Sequence, residues 1–186
     1  MVDSEQVKRF ALIGSCGLAA FSLLLLIISV GIPTWLVDDK SNSVGLFRKC
    51  YSDDSKVYSP SGDSGCFNEN QTTQGGLSVF GLLLLAFAVI AGVAAIYTDR
   101  SMLLLATLVL LYFSSMFVMS AYATWGTYAR DPKLNAFPIP ADSNAHHTSM
   151  GPGYHLCVAA HYFLWTALTI FAFGVGAAFA APSGST

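Results

Sequence analysis

The chain has 186 residues, 54% of them hydrophobic and 11% charged, with a formal net charge of −2 and an isoelectric point near 6.0. That length suits a single compact unit, and the apolar content is too high for an ordinary soluble domain, so lipid is the expected solvent for much of it. The charge balance provides no basic surface for nucleic acid, and no such partner is expected.

Charged residues are excluded in blocks, which marks four apolar segments at 10–36, 76–97, 102–125 and 154–181. A helix needs roughly 20 residues to span hydrocarbon, so each block predicts a transmembrane helix. Lys8 and Arg9 precede the first, but 28 residues then pass before the next charge. A signal-peptide apolar region has about 7–15 residues, so an uncleaved helix is expected. It ends around Gly31-Ile32-Pro33-Thr34-Trp35, where Pro33 weakens the last turn and Trp35 suits the headgroup boundary. Cys16 lies inside this helix and Cys157 inside the fourth; both read as small hydrophobes, with palmitoylation of Cys16 disfavoured by its depth of about 10 Å below Arg9.

The first long loop, 37–75, is rich in Ser, Asp, Gly and Asn, with strand candidates at 44–51 and 56–58 and hence a small antiparallel sheet. Only Thr98-Asp99-Arg100-Ser101 joins the second and third helices, which makes them antiparallel neighbours. The second long loop, 126–153, contains Pro132, Pro138, Pro140 and Pro152, shows no clean periodicity and is expected to be irregular. Small residues recur every four positions at Ala88 and Gly92, at Ala91 and Ala95, and at Ala172, Gly176 and Ala180, a spacing that lets helices approach closely.

Three cations, Lys8, Arg9 and Arg100, lie in about 18 residues of short segments, against six in about 67 residues of long loops. That density places both termini and the short turn in the cytosol. The first loop agrees, since it carries Cys50 and Cys66, which pair readily in an oxidising compartment, and the sequon Asn70-Gln71-Thr72, a glycosylation acceptor six residues ahead of Gly76. A Cys50–Cys66 disulfide rather than two free thiols is expected, and its loop closure contributes roughly 3 kcal/mol.

Histidine supplies the candidates for metal or acid–base chemistry at His146, His147, His155 and His161. His155 and His161 are about 600° of helical rotation apart, and no carboxylate lies in an expected span to orient them. His155 is expected at the outer boundary. His161, an ionisable residue inside a span, is a functional candidate by default, but the preferred reading is a neutral imidazole hydrogen-bonded to another helix. With no phosphate-binding glycine loop, zinc-protease histidine pair or intramembrane carboxylate dyad, no catalytic, cofactor or metal site is assigned and the chain is not read as an enzyme.

Trp35, then Gly45-Leu46-Phe47, then Cys50 and Cys66, on the first loop of a four-helix chain, resemble the W-GLW-C-C signature of the claudin superfamily. That superfamily also holds the peripheral myelin and epithelial membrane proteins and the gamma subunits of calcium channels. Phe47 stands where the signature has Trp, and the short step from Trp35 to Gly45 is closest to the myelin and epithelial branch. Gln74 and Gly75 replace the basic residue that claudins usually carry there. The end, Gly184-Ser185-Thr186, lacks the hydrophobic residue that claudin tails commonly place in a scaffold groove, although such families often continue past the fourth helix.

The resemblance implies an all-α membrane protein, a single claudin-like tetraspan domain with a disulfide-closed extracellular sheet, on which Phe47 would anchor against the membrane surface. It implies action by protein–protein contact in cell adhesion, junctions or membrane organisation at the plasma membrane, or as an auxiliary subunit of an ion channel or receptor. Partners are membrane lipid and another membrane protein, or a second copy. A paracellular cation pore would draw on Asp38, Asp39, Asp53, Asp54, Asp63 and Glu69, which outnumber Lys40, Arg48, Lys49 and Lys56; a solvated loop is the simpler reading of that excess.

Overall fold

The computed structural model describes residues 4–39, 41–53, 62–68, 72–98, 100–130 and 148–180. Four long helices dominate: α1 (Ser4–Gly31), α2 (Thr72–Thr98), α3 (Ser101–Arg130) and α4 (Pro152–Ala180). Each is long and apolar enough to cross a membrane. Five short strands, β1 (Leu36–Asp38), β2 (Ser43–Val44), β3 (Arg48–Tyr51), β4 (Gly65–Asn68) and β5 (Thr148–Met150), form one antiparallel sheet in the order β4-β3-β2-β1-β5.

The helix ends differ from those expected. α1 starts six residues before Phe10, because charge sets how deep a residue can sit in lipid, not where a helix stops. It also ends at Gly31, five residues short of Leu36, since a residue before proline avoids the helical region and Pro33 brings no N–H. Leu36 instead opens β1. α2 begins at Thr72, inside the expected loop, and α4 at Pro152, where a fixed φ suits the first turn and the missing N–H costs nothing. α3 runs to Arg130 rather than 125, as Tyr128 and Ala129 pack on the core and hold the helix through Gly126. The strand candidate at 56–58 and Asn70 lie outside the described residues.

The packing follows a single rule. On α1 the buried positions are Leu12, Ser15, Ala19, Ser22, Leu26 and Ser29; on α3 they include Leu104, Thr107, Leu111, Ser114, Val118, Ala121 and Trp125. α2 buries Ser78, Gly81, Leu85, Ala88, Gly92 and Ala95, and α4 buries Cys157, Ala160, Leu164, Ala167, Phe171 and Gly174. These positions alternate steps of three and four, the repeat that lets helices interlock at a small crossing angle, and on α4 the adjacent His161, Leu168 and Val175 are buried as well and widen that face. α1 packs most extensively on α4, and α2 on α3.

The outer faces carry large apolar side chains such as Phe21, Leu24, Phe87, Ile90, Tyr162 and Phe173. Small and hydroxylated residues share the interior with Leu, Phe and Trp while bulky apolar side chains also cover the outside, which departs from the polar exterior of a water-soluble bundle and is consistent with a multi-pass membrane protein. Hydroxyls on the helices mostly return to their own backbone, as Thr166 does to the Tyr162 carbonyl and Thr169 to the Trp165 carbonyl. An apolar surrounding requires such internal satisfaction.

Candidate functional site

One end of the bundle is capped by the sheet, and the residues of the sequence signature meet there. Pro33 has no N–H to give the Ser29 carbonyl, which its place in α1 would otherwise pair. The Trp35 indole Nε1–H takes that role, donating to the Ser29 carbonyl at 2.8 Å. Trp35 is wholly buried, with its ring edge-on to Trp125 at 5.3 Å and to Tyr154 at 6.3 Å. The position at the helix end is therefore as expected, but the side chain ties α1 to α3 and α4 instead of facing headgroups.

The backbone on either side of Trp35 is used as fully as its ring. Its N–H donates to the Val44 carbonyl at 2.8 Å, and its carbonyl accepts from Gly151 at 2.9 Å; the Thr34 carbonyl accepts from Gly153, also at 2.9 Å. Glycines make these approaches feasible. A Cβ at Gly151 would collide with the Thr34 carbonyl oxygen, and one at Gly153 would fall 2.5 Å from the Trp35 ring. Ser29 Oγ completes the junction by donating to the Gly153 carbonyl at 2.7 Å.

The second long loop is thus not wholly irregular: β5 pairs with β1, with Leu36 opposite Met150 and Asp38 opposite Thr148. Pairing between residues more than a hundred positions apart leaves no local pattern in Thr148-Ser149-Met150. The flanking Gly151-Pro152-Gly153 was the readable signal, a turn followed by a proline-led helix start.

Gly45-Leu46-Phe47 is the turn between β2 and β3, closed by the Gly45 N–H donating to the Arg48 carbonyl at 2.8 Å. A Cβ at Gly45 would sit 2.6 Å from Pro33 Cα, so only glycine lets this turn lie on the end of α1. Leu46 then points inward and is buried, while Phe47 is 36% exposed. The Phe47 ring lies against Gly75 of α2, where a Cβ would approach it to 2.9 Å. Gly75 thus has a steric role at a position where a larger residue would displace the ring.

The sheet has two different faces. Leu36, Val44, Lys49 and Tyr51 share one side by strand register and are all buried. Lys49 lies 5.7 Å from the Tyr51 ring centroid, a cation held over an aromatic face. Cys50 and Cys66 are opposite one another on β3 and β4 and form the disulfide on the other face. It tethers edge strand β4, whose residues are largely exposed.

The turn between β1 and β2 is held by Asp38, whose carboxylate accepts from the Asn42 N–H at 2.8 Å and from Asn42 Nδ2 at 2.7 Å. The Asn42 side-chain carbonyl in turn accepts from the Ser52 N–H at 2.8 Å, binding this turn to the end of β3. Ser41 carries the turn with φ of 63°. Asp38, one of the acidic residues weighed for ion conduction, is thereby engaged in turn structure.

Within the bundle His161 is buried and hydrogen-bonds α3 at both ring nitrogens: Nε2 is 3.2 Å from Ser115 Oγ and Nδ1 is 3.1 Å from Tyr122 Oη. This is the interhelical imidazole expected from the sequence. His155 is exposed near the sheet end of α4; His146 and His147 lie outside the described residues. Ser22 Oγ donates to the Ala160 carbonyl at 2.6 Å and Ser114 Oγ to the Gly81 carbonyl at 2.8 Å.

Gly92 is buried as its spacing predicted, a Cβ there coming within 2.9 Å of Cys16 Sγ. The α4 series is different. Ala172 and Gly176 face outward, with nothing within 4 Å of a Cβ at Gly176, while Gly174 makes the close approach to Leu12 of α1. Among the described residues no group of three His, Cys, Asp or Glu side chains is placed to hold a metal. In comparisons with protein-family models and with curated proteins, nothing matches the chain.

Proposed function

We propose that this is a claudin-like, four-span plasma-membrane protein that acts by contact between its extracellular sheet and another membrane protein, in cell adhesion, junction formation or membrane organisation. Both termini and the α2–α3 turn face the cytosol, with Asn70 in an outer loop open to glycosylation. The role is binding rather than catalysis. The observation that carries the reading is that Trp35, Gly45, Leu46, Phe47, Cys50 and Cys66 all belong to the capped end, where the indole and glycine clearances seat a small sheet on the helices and the disulfide holds its outer edge strand. A pre-organised, exposed platform suits recognition because little conformational entropy is lost on binding.

A second reading is an auxiliary subunit that binds a channel or receptor through its helices as well as its sheet. The outward stripe of Ala172 and Gly176 favours it, since small residues on a spanning helix permit a close approach by a partner's helix. Purification of the full chain in mild detergent, with imaging of cells that express it, separates the two. Enrichment only where two expressing cells meet supports adhesion. A stoichiometric channel or receptor supports the subunit role, and a protein recovered alone without contact enrichment contradicts both.

A further inference from the structure

We propose a phospholipid site where α1 meets the sheet, with the lipid phosphodiester held by Arg48 and the start of one acyl chain lying against the end of α1. The site rests on the membrane-spanning reading given above. A groove of about 310 Å³ opens there, lined by Val30, Gly31, Ile32, Pro33, Phe47 and Arg48. That is the small end of the roughly 300–1,000 Å³ range of ligand pockets, enough for a headgroup and the first part of a chain. The remaining chain continues down the apolar outer face of α1, past exposed Ile28, Ile27 and Leu24.

Charge complementarity selects a phosphate. The side chains lining the groove are apolar apart from Arg48, which is exposed and whose guanidinium makes no ion pair or hydrogen bond with a described residue. Guanidinium matches phosphate oxygens with two parallel N–H donors, and its apolar stem can lie on hydrocarbon while the head stays at the interface.

The placement is built into the fold. Gly45 closes on Pro33, which puts Phe47 and Arg48 at the level where α1 ends, and Gly75 leaves space for the Phe47 ring to form one wall. A free phosphate would gain only the arginine. A sterol or diacylglycerol would gain only the wall.

The test uses the full chain in bilayer nanodiscs of phosphatidylcholine doped with diacylglycerol, followed by native mass spectrometry of lipids retained after the bulk is stripped. The wild type is expected to keep one phosphatidylcholine in preference to diacylglycerol, at about tenfold higher occupancy than Arg48→Gln. Phe47→Ala is expected to lower retention of both lipids, and Arg100→Gln, in the turn at the other end of the bundle, to leave it unchanged. Equal retention by wild type and Arg48→Gln, or of the two lipids by wild type, overturns the site while leaving the membrane reading intact. A chain recovered outside the bilayer overturns both.

Discussion

The bundle and its cap are held together by different means. In the bundle, close packing comes from small residues interleaved with Leu, Val and Phe at a three-four repeat, with serine hydroxyls donating across to carbonyls at Ala160 and Gly81. Those contacts are many, and each is weak. In the cap, a few positions carry nearly all the constraint: one indole replaces the hydrogen bond that Pro33 cannot make, four glycines (Gly45, Gly75, Gly151 and Gly153) sit against backbone or ring, and one disulfide holds the edge. The bundle should therefore tolerate single changes that the cap does not.

Substitutions at matched positions bring out this contrast. The largest effect is expected for Trp35→Ala, which empties a fully buried site and leaves the Ser29 carbonyl unpaired; about 3–5 kcal/mol should be lost in detergent unfolding followed by tryptophan fluorescence. Replacing Cys50 and Cys66 together by Ser should cost roughly 3 kcal/mol, read as faster proteolysis of the first loop with helical circular dichroism retained.

Gly45→Ala, which must displace backbone at Pro33, should cost about 1–3 kcal/mol by the same fluorescence measurement. In the bundle, Ser114→Ala should cost only about 0.6 kcal/mol, the average for such bonds between spanning helices. Gly176→Ala, in open space on a helix, should stabilise by up to about 1 kcal/mol. A Ser114→Ala loss as large as that of Gly45→Ala would erase the distinction between the two regions.

What could be read from the chain divides along the same line. Charge exclusion located all four helices, because lipid penalises a charge wherever it falls, and it said little about their ends, which backbone chemistry at Pro33 and packing at Tyr128 decide. The signature residues were legible as a set, yet the reason for each was not. Gly45 and Trp35 matter through Pro33, a contact made only after the chain folds back. The partnership of β1 with β5 was hidden in three residues without strand character.

In the bundle, the four-residue spacing of Ala172 and Gly176 predicts a packing face on α4, whereas Gly174, between them in sequence, meets α1. The period-seven recurrence of Ser15, Ser22 and Ser29 was present in the sequence and marked the true seam of α1.

The central claim is that the rigid cap is the recognition element, and contact enrichment in mixed cell cultures tests it most directly. Cells expressing the full chain are plated with cells expressing the Cys50→Ser, Cys66→Ser double variant, and signal at contacts is normalised to the amount labelled at each cell surface. The account predicts enrichment between wild-type cells and its loss, at equal surface amount, wherever the variant forms the contact. Undiminished enrichment with the variant would contradict it.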